Sequence, residues 1–67
     1  MIFEYAVFDE RYHSIGTEAG ALFATNDLSE AKTVANEVGF RSVVVRLTPA
    51  PELTYDARFN ADLPLAP

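Results

Sequence analysis

His13 is the one side chain of this sequence that could act as a general base near neutral pH. Ser14 follows it, and Asp9 and Glu10 precede it, so the residue types of a Ser-His-Asp triad occur close together. Such a triad is assembled by tertiary geometry, and neighbouring residues on a strand point to opposite faces. We therefore interpret His13 as a structural residue and expect no catalytic residues and no enzymatic activity.

The residue types that bind metals and nucleotides also lack the required spacing. The chain has no cysteine and one histidine, which excludes disulfides, thiolate zinc sites and histidine-rich metal sites. Residues 16–20 (GTEAG) lack the lysine of a phosphate-binding loop and place an acidic residue where phosphate would lie. We expect no metal and no cofactor.

The charge balance bears on the class of partner. Ten acidic against five basic residues give a formal charge of −5. Nucleic-acid binding depends on neutralising phosphates, so direct binding of DNA or RNA is disfavoured, as is an anionic membrane. An acidic surface favours a protein partner with a basic surface. The first residues lack the pattern of a signal peptide, and no apolar run could span a bilayer, so we expect a cytoplasmic location.

Residues 25–49 contain the clearest structural signals. Asp27, with Glu30 three positions later, resembles a helix-capping box, although Asn26 or Thr25 could cap instead. Helical spacing then places a set of apolar residues on one stripe, and Gly39 is suited to end the helix. The stripe consists of Leu28, Ala31, Val34, Ala35 and Val38.

The valine-rich residues 41–47 predict a strand after this helix. Alternation places Val43, Val45 and Leu47 on one face, which we expect to pack on the helix stripe. Residues 2–8 predict a first strand with apolar groups on both faces. The second strand could be residues 13–17, residues 20–24, or one bulged strand through both.

These elements predict an α+β fold of order β-β-α-β, with a three-stranded mixed sheet and one helix on one face. We expect one domain over residues 1–50 and a proline-rich, partly docked tail over residues 51–67. Residues 52–55 could add an edge strand, or residues 55–59 could form a helical turn. The second sheet face is too apolar for open water, so we expect the tail or a second subunit to cover it.

Small size, acidity, lack of cysteine and the β-β-α-β order together resemble the small accessory proteins of phages and mobile elements. The strand-helix-strand stretch GTEAGALFATNDLSEAKTVANEVGFRSVVVRL is similar to the cores of such proteins. They include anti-CRISPR proteins, and this resemblance implies an inhibitor that blocks a basic nucleic-acid or nuclease site in the host cytoplasm. It carries over no functional residue.

The sequence therefore favours a non-enzymatic protein-binding module that blocks a basic surface of a nucleic-acid-processing complex such as CRISPR–Cas. The alternative is an assembly subunit that forms a homodimer or larger oligomer through the sheet face or an edge strand. The predicted interface residues are Asp9, Glu10, Tyr12, Glu18, Tyr55 and Phe59. The acids expected to form a solvated negative surface are Asp9, Glu10, Glu18, Asp27, Glu30 and Glu37.

Overall fold

The computed structural model describes residues 3–9, 20–39, 41–49 and 51–63. In chain order the elements are β1 (Tyr5–Asp9), β2 (Phe23–Thr25), α1 (Leu28–Val38), β3 (Ser42–Arg46), β4 (Glu52–Asp56) and β5 (Ala61–Asp62). The α+β class and the β-β-α-β order of the first four elements are confirmed. Within this described part, no helix combines the length and apolar character needed to cross a bilayer.

The sheet has five strands in the order β2-β1-β3-β4-β5, and every neighbouring pair is antiparallel. The prediction of a three-stranded mixed sheet was wrong. Strands β2 and β3, which α1 connects, run in the same direction, but β1 lies between them and pairs with both. This insertion leaves the sheet without a parallel pair.

The proline-rich end of the sequence supplies the last two strands. Glu52–Asp56 pairs with β3 across an irregularity between Val44 and Val45, and Ala61–Asp62 pairs back onto β4. Residues 57–60 form the turn between β4 and β5. Of the two alternatives for this segment, the structure therefore contains the strand.

Helix α1 begins and ends at the predicted residues. The Asp27 side chain accepts hydrogen bonds from the backbone N–H groups of Ser29 (2.9 Å) and Glu30 (3.4 Å). Thr25 links this cap to β2, because its hydroxyl donates to Glu30 Oε1 (2.6 Å) and accepts from the Asp27 N–H (3.1 Å). At the other end Gly39 has φ +90°, a conformation that favours glycine, and its N–H donates to the Ala35 carbonyl.

The helix packs on one face of the sheet through small side chains. Ala31 and Ala35 are fully buried against a cluster that contains Val7, Val44 and Tyr55. The prediction that Val43, Val45 and Leu47 would face the helix was therefore wrong. Apolar residues occupy both faces of this strand, so the pattern alone does not fix which face meets the helix, and the pairing of Val7 with Val44 decides it.

The far face of the sheet is a second apolar cluster. Its fully buried members are Ala6, Phe8, Val43 and Val45. Among the described residues, Ala21, Ala24 and Leu47 are partly buried against them. Because these side chains are at most 1% exposed in a single chain, their burial requires no second subunit.

Candidate functional site

The turn between β4 and β5 is fixed by hydrogen bonds of its own residues. Asp56 Oδ1 accepts from the Arg58 N–H (3.0 Å), and the Phe59 N–H donates to the Asp56 carbonyl (3.2 Å). Asn60 has φ +48°, which is left-handed, a conformation that asparagine tolerates better than most residues. The turn therefore has a defined backbone conformation.

A bidentate ion pair braces the same turn. Arg58 Nε and Nη2 donate to Asp56 Oδ1 (3.2 Å) and Oδ2 (2.8 Å), and the Asp56 side chain is buried. The hydrogen bonds from the Arg58 side chain lower the pKa of the Asp56 carboxyl below its ordinary value, against the opposing effect of burial. The Arg58 backbone N–H and its positive charge lower this pKa further.

The lowered pKa predicts a pH dependence of stability. A folded-state pKa below the unfolded value stabilises the fold above the unfolded pKa, and this stabilisation is lost as pH falls through the folded pKa. In Arg58→Gln, the pKa of the Asp56 carboxyl should rise toward its ordinary value, and the fold should lose about 1 kcal/mol at neutral pH.

Carboxyl NMR titration and urea unfolding at neutral and acidic pH measure both effects. Stability should fall less with acid in Arg58→Gln than in the wild type. An Asp56 titration that Arg58→Gln leaves unchanged would contradict the assigned cause.

Tyr55 connects the hairpin to the helix. Its ring lies in the helix-side core, and its hydroxyl lies 3.1 Å from Asn36 Oδ1 and 3.0 Å from Asn60 Oδ1. Beside it, Lys32 Nζ lies 2.6 Å from Asp62 Oδ1 and 5.4 Å from the centroid of the Tyr55 ring. These contacts hold the β4–β5 hairpin against one flank of α1. Since Tyr55 is only 6% exposed, its side chain belongs to the core of the single chain, and its role as an interface residue stays a prediction.

Phe59 lies in this turn and points into solvent. It is 70% exposed, the most of the described large hydrophobic residues. The guanidinium of Arg58 lies 5.1 Å from the ring centroid, at cation–π distance. Of the six predicted interface residues, Phe59 is therefore the one that the structure describes as exposed.

The outer surface of α1 is acidic. Glu30 and Glu37 are seven positions apart, so they lie on one stripe, and Asp27 precedes them at the cap. All three residues are exposed. The one basic residue of the helix, Lys32, is directed to Asp62 on the hairpin. We call Asp27, Glu30 and Glu37 the acidic stripe.

The other described ion pairs also join a base to an acid of the same chain. Arg46 pairs with Glu52 (2.7 Å) and Arg58 with Asp56 (2.8 Å). Basic residues that are neutralised in this way do not offset the acidic stripe. Of the exposed acids for which no ion pair is described, Asp27, Glu30 and Glu37 therefore lie together on the outer side of α1.

Asp9 does not belong to this exposed surface. It is 5% exposed and lies opposite the buried Ser42 in the β1–β3 ladder, so its prediction as a solvated acid was wrong. The sheet buries Asp9 because β1 extends to this residue instead of ending before it. The predicted residues Glu10, Tyr12 and Glu18 lie outside the described residues, as does His13.

Several residues of the site could not be assigned from sequence pattern. Asn36 and Asn60 meet only at the Tyr55 hydroxyl, and they are far apart in the chain. The available signal was local: an aspartate at the start and an asparagine at the end of the segment DARFN are typical of a turn.

Over the described ranges, no group of three or more histidine, cysteine, aspartate or glutamate residues is arranged to hold a metal ion. The described geometry thus offers an acidic helix surface and an exposed aromatic turn. Comparison of the chain with models of known families, with curated proteins and with solved structures finds no match.

Proposed function

We propose that this protein is a non-enzymatic protein-binding module and that its acidic stripe meets a basic surface of the partner. The observation that carries the proposal is that every exposed charged residue of α1 and its cap is an acid, and that the one lysine of the helix pairs with Asp62. Complementary charge accelerates association and orients the partners, and both effects weaken as salt increases.

Glu37 gives this proposal additional support. It lies in the last turn of α1, which contains no basic residue. The carboxyl end of a helix carries partial negative charge, so an acid there costs about 0.3–1 kcal/mol. No described hydrogen bond or ion pair of Glu37 offsets this cost. Helix stability therefore does not explain Glu37, whereas a contact with a basic partner does.

The concrete form of the proposal is an inhibitor encoded by a phage or mobile element and acting in the host cytoplasm. Its target would be a nucleic-acid-processing complex such as CRISPR–Cas, because such complexes carry basic grooves for phosphates. An acidic helix can occupy such a groove in place of nucleic acid.

A homo-oligomeric assembly subunit is the alternative function, and the structure supports it less. The far sheet face is already buried in the single chain. The two edge strands, β2 and β5, have only three and two residues, and short edges limit strand pairing between molecules.

The double variant Thr33→Lys/Glu37→Lys tests the proposed function. Both positions are exposed on the outer side of α1, and neither takes part in the cap. A partner is captured from a lysate of the native host, identified by mass spectrometry and titrated at low and high salt. We expect about tenfold weaker binding at low salt and a smaller difference at high salt. Unfolding should be unaffected, or the fold slightly stabilised, because lysine suits a helix end.

Thr33→Gln/Glu37→Gln is the matched control, since it removes one charge without adding any. Its affinity should fall between those of the wild type and the lysine variant. Affinity that is equal in all three proteins at every salt concentration would refute the electrostatic proposal. A salt-insensitive homo-oligomer with no captured partner would favour the assembly alternative.

A further inference from the structure

We propose that Phe59 is an aromatic anchor that inserts into an uncharged, apolar socket on the protein partner. This inference rests on the proposed function, and it adds a second contact site to the acidic stripe. Its first basis is the 70% exposure of a phenylalanine in a chain that buries Phe8 almost completely. Aromatic side chains that fill partner pockets commonly provide the largest contributions to binding.

The second basis is the way in which the turn holds the aromatic ring. Asp56 is buried and receives hydrogen bonds from both the backbone and the side chain of Arg58. On the other side of Phe59, Asn60 contacts the Tyr55 hydroxyl. The residues on each side of Phe59 are thus tied to buried side chains before any partner binds. An anchor that is held in place loses less conformational entropy on binding than a flexible one.

The third basis is the charge around the ring. Arg58 is neutralised by Asp56, and the nearby Asp62 pairs with Lys32. The charged groups of the hairpin therefore occur as opposite pairs, in contrast to the acidic stripe. Binding at Phe59 should consequently depend on apolar burial and respond weakly to salt. This is why we assign an uncharged socket to the partner at this position.

Two other occupants of the Phe59 surface are less compatible with these charges. A nucleobase could stack on the ring, but a chain with formal charge −5 would repel the attached phosphates. A second copy of this chain would have to supply the socket from its own surface. Binding of either one at Phe59 would overturn the proposal.

Photocrosslinking of the full chain in the native host tests the inference directly. Phe59→p-benzoylphenylalanine places a photoreactive aromatic group at the tip, and the same change at Leu22 is the matched control. Leu22 is also exposed, at 50%, but lies next to β2 at the opposite edge of the sheet. We expect a discrete protein adduct from position 59 and none of the same mass from position 22.

The mass of the adduct decides among the occupants. An adduct with a different protein, together with weaker affinity of Phe59→Ala for that protein at low and high salt, supports the proposal. An adduct of twice the chain mass would assign the surface to a second copy, and an adduct sensitive to nuclease would assign it to nucleic acid; either result overturns the proposal. No discrete adduct at position 59 would overturn it as well.

The variant Phe59→Ala separates this inference from the proposed function. With the captured partner we expect about 30-fold weaker affinity or more, at both low and high salt, and Phe59→Leu should restore part of it. Thermal unfolding should remain that of the wild type, because the ring is exposed. Unchanged affinity of Phe59→Ala, together with weakened binding of Thr33→Lys/Glu37→Lys, would refute the anchor and leave the proposed function intact.

Discussion

Replacing Phe8 with alanine should lower the free energy of unfolding by about 3–5 kcal/mol. Phe8 is 1% exposed and is the largest fully buried side chain of the described residues. It belongs to the far-face cluster with Ala6, Val43 and Val45. Its neighbours lie on paired β-strands, so the backbone cannot collapse easily into the resulting cavity.

Such a loss is large for a domain of this size. Domains are stable by roughly 0.05–0.15 kcal/mol per residue, and a short chain buries a small fraction of its surface. The Phe8→Ala protein should therefore be largely unfolded at 37 °C, or close to the midpoint of its thermal unfolding transition. Urea unfolding followed by circular dichroism measures the change, and the slope of the transition reports whether the denatured state also changed.

Phe59→Ala is the matched control because it makes the same chemical change at an exposed site. Its stability should stay within about 0.5 kcal/mol of the wild type. Equal destabilisation by the two substitutions would contradict the assignment of Phe8 to the core and of Phe59 to the surface.

Replacing Ala35 with leucine should destabilise the protein by about 1–3 kcal/mol. Ala31 and Ala35 face the sheet and are inaccessible to water, so the helix lies close to Val7 and Val44. Three additional carbon atoms must push the helix away or force strained rotamers. Alanine and leucine have similar helix propensities, so the effect would report packing rather than helix formation.

Val38→Leu provides the control for this second substitution. It also enlarges an aliphatic side chain on α1, but Val38 is 46% exposed and has room for the change. Its stability should change by less than about 0.5 kcal/mol. An Ala35→Leu protein with the same urea midpoint as the wild type would mean that the helix–sheet interface has more space than its burial indicates.

The helix and its ends follow from interactions between residues that are near in sequence. The Asp27 cap bonds to groups two and three residues away, and the Gly39 N–H bonds to a carbonyl four residues away. Local patterns contain this information, so the bounds of α1 were predictable. The role of Thr25 between Asp27 and Glu30 was not resolved, because three residues were acceptable as the cap.

The sheet illustrates the limit of local pattern. The residues 43–45 are three valines, which can present either face to the helix. Their orientation follows from the register with β1, and that pairing joins residues more than thirty positions apart. The two strands after Pro51 were equally dependent on a partner, since short strands are stable only when paired: β4 pairs with β3, and β5 pairs with β4.

Some features of the candidate site were also predictable from local pattern, and others were not. The acidic stripe could be inferred from helical spacing, because Glu30 and Glu37 lie on one face of any helix over residues 28–38. The burial of Asp9 and Tyr55 and the exposure of Phe59 could not, since aromatic and charged residues near strands occur on either side of a sheet.

By itself, then, the sequence determined the class of fold, the helix with its two ends, and an excess of acid over base. Tertiary structure alone decided the antiparallel five-stranded order, the face of β3 that meets the helix, and the display of Phe59 on a braced turn. The physical reason is the separation in sequence between the interacting residues. Capping and helical spacing act within a few residues, whereas strand register and burial depend on segments that meet only in the folded chain.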